Sequence, residues 1–377
     1  MSVFYYLVSF FLIINVIVFT HEYGHFLAAK KVGVAITRFS IGIGPEIFGK
    51  TDKHGTRWCL SLFPIGGYVM MLGDEDISST MASEESCKDL SKEEKKKSFH
   101  YKSNWEKILI AFCGPLFNYI YAFVVLFFMS IFNGIPTYEP VIGGIQEGSP
   151  AERCGLKTGD RVLAVAGKRV EGFREITTQI AEIESPKITF QIVRDGKQQE
   201  VDIAIERKET RNLIGRIKKT KVVGIKSGKP IFVKKGVFES LATAANECIR
   251  ATAEMMTIFP KLFAGKKSLD DFGGVIRIAE VVADLSKGGS IALLVMFTVS
   301  LSINLGFINL FPLPILDGGT ILLSALEQIT GRKINKRFLE YVMMVCAFLL
   351  ISLMVLMTVN DALRLDVIKK FVLSIME

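Results

Sequence analysis

Three residues of this 377-residue chain could carry hydrolytic chemistry by type and spacing alone: His21, Glu22 and His25. On a helix, residues four apart lie one above the other, so the two imidazoles face a common point and can bind one zinc ion. Glu22, between them, is then placed to take a proton from an attacking water. Residues 3–20, directly before, contain no Asp, Glu, Lys or Arg, so the motif sits at the end of an apolar run long enough to cross a bilayer. Ionisable groups at that depth are expensive, and function is the default reason to keep them. Met1-Ser2 brings no basic cluster and no small-residue cleavage pattern follows, so the run reads as a retained span.

A catalytic zinc takes three protein ligands and keeps one position open for water. Lys31 stands where an extended form of the motif places a third His. His54 and His100 lie in polar loop sequence and read as surface, and Glu46 falls in an extended stretch. Asp317 is better placed. It follows Asn309-Leu310-Phe311-Pro312-Leu313-Pro314-Ile315-Leu316 and precedes Gly318-Gly319, at the foot of another apolar run. The prolines break the helix there and the glycines let backbone approach closely. Taken alone, the stretch also reads as a helix terminus capped by Asp. At matching depth with His21 and His25, the metal reading is preferred.

Four uncharged runs are long enough to hold these groups in a membrane: 3–20, 108–132, 290–316 and 341–359. Lys30, Lys31, Lys102 and Lys107 flank the first connection, and Arg332, Lys333, Lys336 and Arg337 crowd the third. Both connections are therefore expected in the cytoplasm, with both termini and the region between spans two and three outside it. The net charge of +8 is explained by these loops, and no nucleic-acid partner is expected. The six cysteines show no paired spacing, which argues against a disulfide framework or a cysteine metal site.

Between the first two spans, 39–44 and 57–63 read as strands around a polar turn at 49–55, and 66–71 offers a third extended piece. The edge of this hairpin at 39–63 suits pairing with an extended peptide. Residues 74–97 are rich in charge and Ser and read as a solvated segment. Beyond span two, Ser149-Pro150-Ala151-Glu152, Gly155-Leu156-Lys157 and Gly159-Asp160-Arg161-Val162 precede a helical run at 173–184 and two strands around Asp195-Gly196. This run resembles a PDZ domain of bacterial envelope proteases, which implies peptide-end binding by strand addition or, alternatively, steric shielding of the membrane site. Residues 237–262 and 272–285 have helical periodicity, with either the PDZ-like module or the outer membrane surface as their packing partner.

The expected fold class is a polytopic α-helical membrane protein with four transmembrane helices, a membrane-associated β-hairpin and an inserted α/β PDZ-like domain. Its divisions are a first transmembrane helix (1–28), a hairpin and loop (29–106), a second helix (107–133), the PDZ-like domain (138–207), a linker with amphipathic helices (208–288), a third helix (289–320), a fourth (338–360) and a tail (361–377).

Taken together, His21–His25, 39–45, 64–72, Gly114-Pro115-Leu116-Phe117-Asn118, the PDZ-like run and 302–319 make the chain resemble the site-two protease family of intramembrane zinc metalloproteases, in the bacterial envelope-stress branch. The resemblance implies that His21, His25 and Asp317 bind Zn2+ and that Glu22 is the general base. It implies that Asn304 and Asn309 handle substrate, with Asn118 supporting the cleft. Implied partners are the lipid bilayer and transmembrane protein substrates, such as anti-sigma factors or remnant signal peptides, together with a peptide ligand of the PDZ-like domain. The implied location is the cell inner membrane, with the active site towards the cytoplasm. Two features depart from the family: one PDZ-like copy rather than two, and Thr320 and Met70 where His and Lys are frequent. The competing reading is a catalytically inactive PDZ-containing membrane adaptor. A zinc peptidase of the soluble type would need a third ligand in a soluble domain, and a proton-relay transporter would need internal inverted repeats.

Overall fold

The computed structural model describes residues 3–73, 90–211, 217–263 and 274–364. Most of the solvated segment (74–89) and the tail beyond residue 364 lie outside the described residues. The chain forms two compact units, residues 128–240 and the remainder.

Helix α1 (Val3–Lys31) carries the apolar run and closes its backbone hydrogen bonds within itself. It ends at Lys30 and Lys31, cations suited to a helix C-terminus. Strands β1 (Ile36–Thr51) and β2 (Arg57–Met71) then build more than a hairpin. Residues 38–41 pair with 67–70 on one side and with 57–60 on the other, while 46–51 pair with 57–61. The result is four extended segments, with 67–71 and 46–51 at the edges, each antiparallel to its inner neighbour, while the two inner segments, 38–43 and 57–63, ascend together in register. Residues 39–43 lie inside, so the open edges differ from the 39–63 expected. The fold-back happens because β1 bends at Gly42 and Gly44, both at positive φ. The turn shrinks to 52–56 because Asp52 Oδ1 accepts the N–H groups of His54 and Thr56. Phe39 and Trp58 stack at 4.6 Å and meet Phe26 of α1 edge-on, pinning the sheet one residue from His25. A capping box between Ser91 and Glu94 starts the short α2 (Lys92–Lys97), and α3 (Asn104–Phe132) follows.

The second unit contains β3 (Ile135–Thr137), β4 (Ile142–Ile145), α4 (Pro150–Arg153), β5 (Arg161–Val165), β6 (Lys168–Arg169), α5 (Phe173–Glu182), β7 (Lys187–Arg194) and β8 (Lys197–Ala204). Beyond these come β9 (Glu206–Arg211), β10 (Ile217–Val222), β11 (Ile225–Ser227) and β12 (Ile231–Val233). Strands β6-β5-β7-β8 form one sheet, and Asp195 and Gly196, both at positive φ, make the tight turn between β7 and β8. Ile142, Val162, Ile176, Phe190, Ile192 and Ile203 form its core. The unit runs on past residue 207: β11 closes against β4, and Val223 is buried in the same core. The charged run before Val223 hides that closing strand from sequence patterning.

Asp160, 2% exposed, accepts hydrogen bonds from Arg194 Nε and Nη2 and from Lys157 N, all at 2.7 Å. Burial pushes its carboxyl up, but the guanidinium and the amide outweigh burial and hold it below the usual range. The stability this contributes is full above the ordinary carboxylate pKa and lost as pH falls through the depressed one. We expect Asp160→Asn to destabilise this unit by about 2 kcal/mol at neutral pH. We also expect the variant to lose less than the wild type on acidification below pH ~4, read as protease protection of the intact protein across pH.

The remaining helices are α6 (Val237–Phe263), α7 (Val275–Lys287), α8 (Ile291–Asn309), α9 (Asp317–Thr330) and α10 (Lys336–Arg364). α6 is linked to α3 by Tyr119 Oη and Thr252 Oγ1 at 3.0 Å. Val282 of α7 packs with Phe10, Ile13 and Ile17 of α1, and Asp361 of α10 caps α7 by accepting from the N–H groups of Gly274 and Arg277. The third apolar run is not one helix. It breaks after Asn309 and restarts at Asp317, because Pro312 and Pro314 cannot continue the hydrogen-bond ladder. Among the described residues, four helices are long and apolar enough to cross a membrane, those containing residues 6–31, 104–132, 291–309 and 337–362.

Candidate metal centre

The three candidate ligands arrive from two distant parts of the chain. α1 presents His21 and His25 from successive turns, and α3 crosses directly beneath them. Gly24 lies on the carbonyl of Cys113, so the two helix backbones touch where any side chain would separate them. Gly114 then faces both rings: a Cβ there would run into His25 and lie 2.9 Å from His21 Cε1. α8 packs on α3 through small residues, with Ser302 donating to the carbonyl of Asn118 at 3.0 Å and Gly306 against Pro115. The break after α8 swings the chain round so that Asp317 opens α9. That loop is tight enough to press the carbonyls of Leu310 and Phe311 onto Gly318, and that of Leu313 onto Gly319.

Asp317 Oδ2 lies 3.1 Å from His21 Nε2, Oδ1 lies 3.3 Å from His25 Nε2, and the two Nε2 atoms are 3.2 Å apart. Among the described residues this is the group of three that could hold a metal ion. Ligands about 2.0–2.1 Å from a tetrahedral zinc stand about 3.3 Å from one another, which these separations match. The donor chemistry agrees. His25 Nδ1 lies 2.8 Å from the carbonyl of Ile110, a pure acceptor, so the proton of the neutral ring sits on Nδ1 and Nε2 is a bare lone pair. Asp317 Oδ2 is buried and receives no hydrogen bond despite its approach to His21. Lone pairs converge here with no proton between them, and a cation satisfies them all. His21 Nδ1 lies 3.2 Å from the amide of Asn118, whose Oδ1 is buried and unpartnered. A half-turn of that amide lets Oδ1 accept from Nδ1, which fixes the tautomer that frees Nε2.

Asn309 Nδ2 reaches His21 Nε2 at 3.1 Å, so this amide is part of the constellation. Asn304, a little over one turn earlier on α8, makes no hydrogen bond to it among the described residues. Glu22 is half-buried, and Gly67 lies near enough that a Cβ there would be in contact with its Cγ. Glu46 lies elsewhere: Arg57 and Arg38 donate to it at 2.6–3.0 Å, and Cys59 Sγ stands 3.2 Å away. Hydrogen bonding by Arg57 holds its carboxyl at about 2. His54 is exposed in the 52–56 turn and His100 lies just before α3. Sequence reasoning did not isolate Gly114 or the Ile110 carbonyl. A glycine beneath a ring leaves no chemical signature, and a backbone acceptor leaves none at all.

Two histidines a helical turn apart, a carboxylate on a facing helix start and a free acid between them define a metallopeptidase site. Residues 9–353 match the family model of peptidase family M50, and the chain belongs to that family, the site-two proteases. A provisionally named zinc metalloprotease of Campylobacter jejuni is 35% identical over 94% of this chain and 92% of its own. Similarly named proteins of Brucella suis and Mesorhizobium japonicum are each 32% identical, over 94% and 89% of this chain and 94% and 92% of theirs. Among solved structures, the PDZ domain of an SdrC-like protein of Listeria monocytogenes is similar at 16% identity, covering 25% of this chain and 90% of that one, with a TM-score of 0.20. The protein is a zinc metalloprotease, and His21, His25 and Asp317 form its possible metal-binding group.

Proposed function

We propose that this protease works within the membrane, hydrolysing peptide bonds in or near transmembrane segments of membrane-anchored proteins. The observation that carries the reading is that all three candidate ligands belong to helices, or to breaks next to helices, apolar enough to span a bilayer. His21, His25 and Asp317 hold the zinc, with Asn118 and the Ile110 carbonyl orienting the rings. What bound zinc supplies is Lewis acidity toward the water and the scissile carbonyl. Glu22 takes the proton of the attacking water and delivers it to the leaving amine. Once His21 Nε2 is given to the metal, the N–H of Asn309 is released to hold a peptide carbonyl, and Asn304 lies further along the same helix to guide the strand.

A substrate helix keeps its carbonyls in its own hydrogen bonds and must unwind before it is cut. The edge at 67–70 supports this, since Gly67 lies near Glu22 and the segment is paired with β1 on one side, leaving its other side to face an extended peptide. The basic residues beside the first and third connections support an inner-membrane protein with its site towards the cytoplasm and the PDZ-like unit outside. There that unit binds a peptide end or screens substrates by size. Anti-sigma factors and remnant signal peptides are substrates of suitable form.

Metal removal tests the reading. Purified protein in proteoliposomes, stripped with 1,10-phenanthroline, is expected to stop cutting a single-span reporter and to recover with equimolar zinc. Undiminished cleavage by metal-free protein would exclude the mechanism.

A further inference from the structure

Asn15 stands in the uncharged part of α1 and is used by nothing described above. Its Nδ2 donates to the carbonyl of Phe11 at 2.7 Å, which is local, and to that of Pro64 at 2.7 Å, which ties α1 to the sheet. Its Oδ1 is buried and accepts no hydrogen bond. An unpartnered buried acceptor is destabilising in a protein interior, and hydrocarbon offers no water to relieve it. An apolar side chain at residue 15 would carry no such cost.

The surroundings say what the acceptor is aligned with. Asn15 and Glu22 are seven residues apart, so they share one face of α1 at a separation of about 10.5 Å. Pro64 of β2 sits at Asn15, and Gly67 sits against Val18 and Glu22. Pro64, Ile65 and Gly66 have no partner in β1. This stretch, which turns at Gly66 with positive φ, therefore runs along the Asn15–Glu22 face, and three steps of an extended peptide span about 10 Å, the same distance as that between the two side chains. A peptide laid beside it with its scissile bond at Glu22 brings the backbone of the third residue away to Asn15.

Resting on the intramembrane-protease reading, we propose that Asn15 is a peptide subsite: its Oδ1 accepts the backbone N–H of the substrate residue about three positions from the cut, on the side nearer the bilayer centre. The oxygen has no partner in the peptide-free protein, so its partner comes with the unwound strand once the atoms that cover it part, and the bond to Pro64 keeps the sheet in register while it enters.

A backbone N-methyl scan tests it. The full-length zinc protein in detergent is given a synthetic single-span peptide with a central Asn-Pro break, and a series carrying one N-methyl group at each position in turn. If the wild type cuts no peptide, or Glu22→Gln cuts as well, the protease reading itself fails. With cleavage established, N-methylation at the third residue is expected to lower kcat/KM about ten- to a hundredfold in the wild type. In Asn15→Val the same methyl group is expected to make no difference. Wild-type tolerance of the methyl group overturns the proposal whether or not Asn15→Val folds, and so does a penalty of equal size in an Asn15→Val protein that keeps its zinc.

Discussion

Replacing Glu22 with Gln is expected to lower cleavage by about 10²–10⁴-fold while leaving the fold and the zinc in place. The reasoning starts from what Glu22 is not. It is absent from the ligand group, whose three members meet one another at 3.1–3.3 Å without it. An amide of the same shape therefore takes no ligand from the metal and fits the same half-buried place beside Gly67. It does lose the capacity to accept a proton from water and hand it on. The measurement is a paired one: metal content by mass spectrometry and cleavage of a single-span reporter, on the same preparation. Full zinc with cleavage near the wild-type rate would remove Glu22 from the chemistry, and loss of zinc with the activity would make it a structural residue.

What could be read from the chain divides by the range of the interaction. The His21–His25 pair is legible because a helix turns a spacing of four into a shared face, with no help from the rest of the protein. The four long apolar helices are legible for a similar reason: an uncharged run of that length, read as a bilayer segment, has one backbone solution, and the structure has a helix in each run. Asp317 needed a depth argument from loop charges, since no local rule connects it to residues almost three hundred positions away. In the sheet at 36–71, sequence patterning gives two strands around a turn and a third extended piece at 66–71, but not their order, because strand signals name extended segments without naming their neighbours. The glycine bends at Gly42 and Gly44 decide those neighbours by folding β1 back on itself. The end of the PDZ-like unit was set short for the same cause. Val223 and β11 are few residues in charged surroundings, and only their place against Ile142 and β4 makes them core. In each case a contact between distant residues outweighed a local pattern.

Gly114 is the sharpest instance, and its replacement by Ala is expected to cost the protein both zinc and activity. The added methyl group would collide with the His25 ring and sit 2.9 Å from His21 Cε1, closer than side-chain carbons approach other atoms. Neither ring can simply turn aside. His25 is held through Nδ1 by the carbonyl of Ile110, and His21 is bracketed by Asn118 on one nitrogen and Asn309 on the other. Nor can α3 retreat cheaply, because Gly24 holds the two helix backbones together at Cys113 and Ser302 holds α8 to the carbonyl of Asn118. The strain is therefore carried to the Nε2 atoms that face Asp317, where the ligand geometry depends on ring orientation. A displacement of about 1 Å in a ligand set or reacting group costs on the order of a hundredfold in rate, and metal affinity falls by a similar factor when ring orientation is lost. Zinc titration against a competing chelator, with melting temperature recorded alongside, measures the effect directly. A Gly114→Ala protein that binds zinc as tightly as the wild type would mean that α1 and α3 are further apart than their shared glycines require.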